Sequence, residues 1–310
     1  METKPFQLNL FKFSTFFYLT IGNLYDIMEI TVLMENNKLK GSDFKTENGL
    51  SLLIENKNGL ILFDTGGPKN YAIQNAQKLG VDLSKVDAVV ISHGHNDHTG
   101  GLLNFFKLND KAPVYLKKEA LNPYYAKLPD KTKYIGIDDK IVENHSNRLI
   151  FVDKNLEISP GMFLIPDIER KFPIPSNNQI LFEGKEDKMI KDEFKHELFM
   201  VLEKNNNLTV FSGCGHSGIT NIINKVKNTF PKGKINTVLG GFHFQSGSET
   251  SIVAEKEEIE GISHWLADEG IENVYTGHCT GERGMEIMSP ILEDKLHRIC
   301  TGMKITLDIN

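Results

Sequence analysis

A chain of 310 residues, 40% hydrophobic and 25% charged, has the composition of a globular protein with a sizeable core, and is long enough for one large α/β domain or two small ones. Its net charge of −6, with the lysines scattered, argues against a nucleic-acid partner, because phosphate binding needs concentrated positive charge. Three cysteines (Cys214, Cys279 and Cys300) are too few for a disulfide framework, and the expected setting is reduced and cytoplasmic.

The chain opens on an aromatic-rich stretch, Phe6 to Tyr25, which Lys12 interrupts. It is too broken for a convincing spanning helix and lacks a small-residue cleavage site, so neither a membrane anchor nor a secretory signal is expected. Residues 1–27 read as an extension, and Met28 as the start of a single folded domain running to 310. Ile30–Leu33, Leu50–Glu55 and Leu60–Phe63 have strand composition, with Asn56–Gly59 as a hairpin turn. The third strand delivers Asp64-Thr65-Gly66-Gly67. Helical spacing over Tyr71–Leu79 stops at Gly80. Asp87–Ser92 is a short β-branched run that reads as a buried strand, and a helix is expected over Gly101–Lys107.

Residues 111–191 are less regular and rich in proline, and read as an insert that shapes a binding site. Regularity returns with a hairpin, Leu198–Leu202 and Leu208–Phe211. A helix follows over Ile219–Thr229, then a strand over Asn236–Leu239, a helix over about 254–269 and a strand over Asn273–Tyr275. Strands alternating with helices predict an α/β layered fold.

The chemistry gathers where these strands end. Between Ser92 and Thr99 lie His93, His95, Asp97 and His98, and imidazole nitrogen and carboxylate oxygen are ligands for zinc, iron and manganese. Side chains two apart on an extended strand end point the same way, so His93 and His95 can share one ion. The turn that follows can swing Asp97 and His98 towards a second ion. His216, in Cys214-Gly-His216-Ser-Gly, is the first choice for the third ligand of the His93/His95 ion; Cys214 could ligate instead, or be a small buried residue. His278 joins Asp97 and His98. Asp64 reads as a carboxylate that orients a ligand imidazole. His243 divides between substrate contact, extra ligand and structural histidine. Asp192 and Glu197 read more readily as solvated acids, and His145, His196, His264 and His297 as surface residues. There is neither a phosphate-cradling glycine loop nor a nucleophilic serine elbow.

Asp64-Thr-Gly, His93-x-His95-x-Asp97-His98 and Gly277-His278 together resemble the metallo-β-lactamase superfamily. That resemblance implies a four-layer αββα sandwich with a dinuclear site at the sheet edge. Ser212-Gly-Cys-Gly-His216-Ser-Gly, Gly240-Gly-Phe-His243 and Gly277-His278-Cys279-Thr280-Gly281 are similar to its methanopterin-pathway synthase-like branch of metal-dependent hydrolases. The superfamily's Pro-Gly-His-Thr and later Gly-Asp are absent, and Cys214 falls where a bridging aspartate is expected.

The resulting expectation is a hydrolase of a small phosphorylated or ester substrate, holding two divalent ions: zinc foremost, with iron, manganese or magnesium as alternatives. Asp97 and His243 would serve catalysis, and His243 and Thr280 would contact substrate. A dihydropterin-transferring synthase or a non-enzymatic metal sensor are the competing readings. Oligomeric state is not legible.

Overall fold

The computed structural model describes residues 27–185, 187–245 and 253–309; all of the extension read over residues 1–27 except Ile27 lies outside them. The first half of the chain lays down β1 (Ile27–Met34), β2 (Ser51–Asn56), β3 (Gly59–Phe63), β4 (Ala88–Val90) and β5 (Val114–Leu116). The hairpin of β6 (Tyr124–Lys127) and β7 (Thr132–Tyr134) follows, then β8 (Leu149–Phe151), β9 (Leu156–Ser159) and β10 (Met162–Ile165). A second small hairpin is β11 (Leu181–Lys185) and β12 (Lys188–Lys191). The second half contributes β13 (Phe199–Lys204), β14 (Asn207–Phe211), β15 (Lys234–Gly240), β16 (Asn273–Thr276), β17 (Leu296–Arg298) and β18 (Lys304–Asp308).

These strands form two seven-stranded sheets, in the orders β18-β1-β2-β3-β4-β5-β8 and β17-β16-β15-β14-β13-β10-β9, and a four-stranded sheet, β12-β11-β6-β7. The two large sheets pack face to face and each carries helices on its outer side. The fold is therefore α/β, as the strand and helix pattern predicts, and the four-layer sandwich that the resemblance implies. Strand alternation builds the layers. In and just before β13, Leu198, Met200 and Leu202 face the other sheet, where they meet Met28, Ile30 and Val32. Phe199 and Val201 point outward into a second cluster. That cluster is closed by the helix Ile219–Thr229, whose Ile219, Ile222, Ile223 and Val226 recur at one-turn spacing and are buried. Each contributes roughly 1.5–3 kcal/mol by leaving water. Pro231 lies two residues beyond its end and cannot extend the helix. On the other outer face, Ala72, Ile73 and Ala76 of the helix Tyr71–Lys78 pack against β1 and β4.

Two sequence readings change. The helix expected over 101–107 is two short turns, Asn96–Thr99 and Leu102–Phe105. The two glycines between them lie against neighbouring backbone: a Cβ on Gly100 would lie 2.5 Å from the Pro68 nitrogen, and one on Gly101 would lie 2.2 Å from the Thr65 oxygen. Residues 111–191 are not all inserted material, since β5 and β8 join the first large sheet while β9 and β10 join the second. Only the four-stranded sheet stands apart.

The two parallel strand sets, β3-β4-β5 and β14-β15-β16, end on the same side of the sandwich. Asp64 follows β3, the His93–His98 run follows β4, Cys214 and His216 follow β14, His243 follows β15 and His278 follows β16. The carboxyl ends of parallel strands are where open α/β sheets gather ligands. Among the described residues, no helix is long and apolar enough to cross a membrane.

Candidate metal centre

Five of the sequence-predicted histidines, His93, His95, His98, His216 and His278, are buried with their rings in mutual contact. His93 and His95 meet edge to face at 4.6 Å, and His93 and His216 at 4.9 Å. Potential ligand atoms fall within 4.8 Å of one another in the groups His93–His95–Asp97, His93–Cys214–His216 and Asp97–His98–Cys214–His278. Asp97 and Cys214 each belong to groups on both sides, so they stand at the junction of the cluster.

The decisive feature is how each ring is held from behind. His98 Nδ1 lies 2.6 Å from Asp64 Oδ2, an acceptor, so Nδ1 carries the proton. Ser92 Oγ donates to Asp64 Oδ2 at 2.7 Å and therefore accepts from His93 Nδ1 at 2.9 Å. Asn178 donates to the His216 carbonyl, which turns its Oδ1 towards His216 Nδ1 at 2.9 Å. Asn36 Oδ1 takes the Gly49 N–H and faces His278 Nδ1 at 2.9 Å. All four imidazoles are thus fixed as Nδ1–H tautomers, and their Nε2 lone pairs converge. Those of His93 and His216 have no hydrogen-bond partner, nor does His95 Nε2. His98 Nε2 and His278 Nε2 face each other at 3.1 Å, with Cys214 Sγ 3.1 and 3.4 Å away. Buried, unpaired acceptors cost free energy unless a cation satisfies them. The donor set fits divalent metal.

The electrostatics agree. Burial, reinforced by neighbouring imidazoles, pushes His93 and His216 well below the ordinary histidine range, so both are neutral, the form that ligates. Burial works against charge on Asp97, but the His98 and His278 rings outweigh it and keep the carboxylate ionised. Burial opposes charge on His278 too, yet Cys279, Asp97 and Glu35 together lift it to about 9. Without metal, His278 Nε2 therefore holds a proton, which a bound cation would displace.

Several supporting groups are invisible to sequence reading. Glu197, read there as solvated, is 3% exposed, and its two oxygens accept the backbone N–H groups of His216 and Ser217 at 2.8 and 2.7 Å. Glu35, fully buried, does the same for the His278 N–H. His216 and His278 are therefore each anchored by a carboxylate bound to their own backbone. His196, read as a surface residue, is fully buried: its Nδ1 accepts from Gly94 N at 2.9 Å and its Nε2 donates to Asp192 Oδ2 at 3.0 Å. Asp192, also read as solvated, is 6% exposed and lies 3.7 Å from His95 Nε2. Their short i,i+4 spacing before a strand was the available signal. Asn48 donates to Asp97 Oδ2 at 2.8 Å. Gly213 is required by close approach, since a Cβ there would lie 2.1 Å from Ser92 Oγ. His264 is exposed as read, while His145 and His297 are partly buried and stack on Phe106 and Tyr275.

Thr280 is a correction. Its hydroxyl accepts from Phe242 N at 3.1 Å and bonds Thr276 Oγ1 at 2.5 Å, while Thr276 donates to the Gly240 carbonyl. It is fully buried, ties the His243 and His278 loops together and is not among the residues that line the cavity. Thr280→Val is therefore expected to lower stability by about 1–3 kcal/mol, by stranding the Phe242 N–H, and to leave KM unchanged. Urea unfolding beside steady-state kinetics checks this; a raised KM at unchanged stability would restore the substrate role.

A cavity of about 310 Å³ opens over the cluster. Its floor is His95, Asp97, Cys214, His216, His243 and Cys279. The rest of its lining sorts by chemistry. Ala126, Leu128, Ile135, Ile180 and Leu181, in or beside the four-stranded sheet, are apolar, whereas Glu47, Asn48, Lys69 and Lys133 are polar or charged.

Comparison with known proteins returns the same architecture. The model of the metallo-beta-lactamase superfamily matches residues 45–197. The 7,8-dihydropterin-6-methyl-4-(beta-D-ribofuranosyl)-aminobenzene-5'-phosphate synthase of Methanocaldococcus jannaschii is 26% identical over 295 residues, covering 92% of this chain and 98% of that protein. The crystal structure of a metal-dependent hydrolase of the beta-lactamase superfamily superposes with a TM-score of 0.75 at 33% identity, covering 91% of this chain and 99% of that one. A diphosphatase from the PhnP family shares the fold at 13% identity, with a TM-score of 0.53, covering 91% of this chain and 98% of the other.

Proposed function

The chain belongs to the metallo-beta-lactamase superfamily, and from that premise we propose that it is a dinuclear metal-dependent hydrolase of a small phosphorylated or ester substrate. The observation that carries the reading is the convergence of four Nε2 lone pairs whose rings are locked from behind by Asp64, Ser92, Asn178 and Asn36. His93, His95 and His216 would hold one ion, and Asp97, His98 and His278 the other. Zinc suits this nitrogen-rich set, and iron or manganese are alternatives. When bound, a pair of ions supplies Lewis acidity and lowers the pKa of water towards neutrality.

The chain's own residues supply the rest. Asn48 fixes the Asp97 carboxylate, whose ionised state equips it to accept the proton of the attacking water. Lys69 and Lys133 bring positive charge to the cavity lining, where it favours an anionic substrate group. The apolar side chains exclude water and offer a surface to the non-reacting part of the substrate. His243 completes the floor, with both ring nitrogens buried and without hydrogen-bond partners.

The test is elemental analysis of protein purified without added metal, followed by a screen of phosphodiesters, phosphomonoesters and lactones. About two ions per chain with turnover of at least one ester class is the expected result. Full metal loading with no turnover in any class would return the protein to the sensor reading.

A second reading is favoured by the nearly full-length match to the M. jannaschii synthase. The same centre would then promote transfer of a dihydropterin group. Supplying a dihydropterin pyrophosphate with an aminobenzene acceptor separates the two: a joined product supports the synthase, and a free hydroxymethyl pterin the hydrolase.

A further inference from the structure

Cys214, His243 and Cys279 form a group that the dinuclear reading does not account for. Their ligand atoms lie within 4.8 Å of one another, and all three residues are buried, at 3%, 5% and 6% exposure. His243 is the unusual member. Neither ring nitrogen has a hydrogen-bond partner, although both are removed from solvent. Its backbone also sits in the left-handed region, at φ 51°, a conformation that costs on the order of 1–3 kcal/mol in a residue other than glycine. A buried ring without hydrogen bonds, carried on a strained backbone, implies a partner. The loops are shaped to bring the group together: the His243 N–H points at Cys279 Sγ at 3.3 Å, and a Cβ on Gly241 would lie 2.4 Å from that sulfur, so only glycine lets Cys279 approach.

We propose that Cys214, His243 and Cys279 bind a third, thiophilic cation beside the two ions of the dinuclear centre. Two sulfurs and an imidazole make a soft donor set, suited to zinc, cadmium or cuprous ion and unsuited to magnesium or calcium. Bonds of about 2.3 Å to sulfur and 2.0 Å to nitrogen give tetrahedral edges of roughly 3.5–3.8 Å, so donors within 4.8 Å of one another need to close by about 1.0–1.3 Å at most. Cys214 also faces His98 and His278 at 3.1 and 3.4 Å, and a thiolate has lone pairs enough to bridge two cations. Three protein ligands leave one position open, as in catalytic rather than structural sites. All three residues line the cavity, so a substrate donor atom can reach that position. One nitrogen of His243 serves the ion and the other remains for the cavity.

The experiment is titration of the metal-stripped full chain with cadmium, reading bound cadmium by elemental analysis and the ultraviolet thiolate-to-cadmium charge-transfer band. Wild type should saturate at three equivalents. Cys279→Ser should saturate at two, with the band falling to whatever remains where Cys214 still faces the dinuclear centre. His243→Gln should also lose the third equivalent, which keeps the test open should circular dichroism show Cys279→Ser unfolded. Cys300→Ser, outside the group, should match wild type. A wild type that stops at two equivalents overturns the third site and leaves the dinuclear centre standing, whereas one that stops below two removes both. Loss of the third equivalent in Cys300→Ser would assign that ion to an unrelated thiol and likewise overturn the proposal.

Discussion

His95→Ala is expected to remove one ion and reduce turnover by more than about 1,000-fold, or roughly 4 kcal/mol of transition-state stabilisation. The fold should survive. The hydrogen bonds between His95 and the helix Asn96–Thr99 are accepted by its carbonyl, which takes the N–H groups of His98 and Thr99 at 3.0 and 3.1 Å and which alanine retains. Its ring nitrogen Nε2 has no hydrogen-bond partner, so truncation strands nothing. Packing against Tyr124 and His196 is lost, and metal-free stability should fall by no more than about 1–2 kcal/mol. The metal-bound proteins should differ far more. An ion at 100 times its Kd stabilises a folded chain by about 2.7 kcal/mol, and the variant should lack one such increment. Thermal unfolding with and without zinc, beside elemental analysis, reads both effects. Unchanged metal content with full turnover would remove His95 from the centre.

Asp64→Ala should be the most damaging change away from the converging donors. Asp64 is fully buried and accepts Ser92 N, Ser92 Oγ and His98 Nδ1 at 2.8, 2.7 and 2.6 Å. It orients His98 directly and His93 through Ser92, so one carboxylate fixes an imidazole from each proposed ligand set. Its loss leaves three buried donors unpaired, at a cost of about 3–5 kcal/mol. Because both rings are then free to turn, metal affinity should fall by about 10–100-fold as well. Asp64→Asn keeps the shape but offers an amide donor where only acceptors fit, so it should lose affinity with a smaller loss of stability. Urea unfolding of the metal-free protein and competition with a chelating dye separate the two effects. A stability loss with unchanged affinity would reduce Asp64 to a purely structural role.

Much of this was legible in the sequence because the informative features are local. The strands β1 to β4 and β13 to β16 follow from short β-branched and apolar runs, and the helix Ile219–Thr229 from one-turn spacing up to a proline. His93, His95, Asp97 and His98 reveal themselves by crowding, since neighbouring polar groups at a strand end need a common partner. His216 and His278 were found because glycines on either side of each mark a tight loop after a strand.

Only the tertiary structure decided the rest, for one physical reason: hydrogen-bond partners are chosen by distance in space. Asn36 and His278 are 242 residues apart, and Asn178 and His216 are 38 apart, with no pattern linking either pair. Glu197 and Asp192 have the local sequence of solvated acids, and burial turned them into anchors for His216 and His196. Thr280 has the sequence position of a substrate contact, and the packing of two loops used its hydroxyl first. The sequence alone determined which donors exist and on which strand ends they sit. The fold determined which lone pairs remain unpaired, and those define the centre.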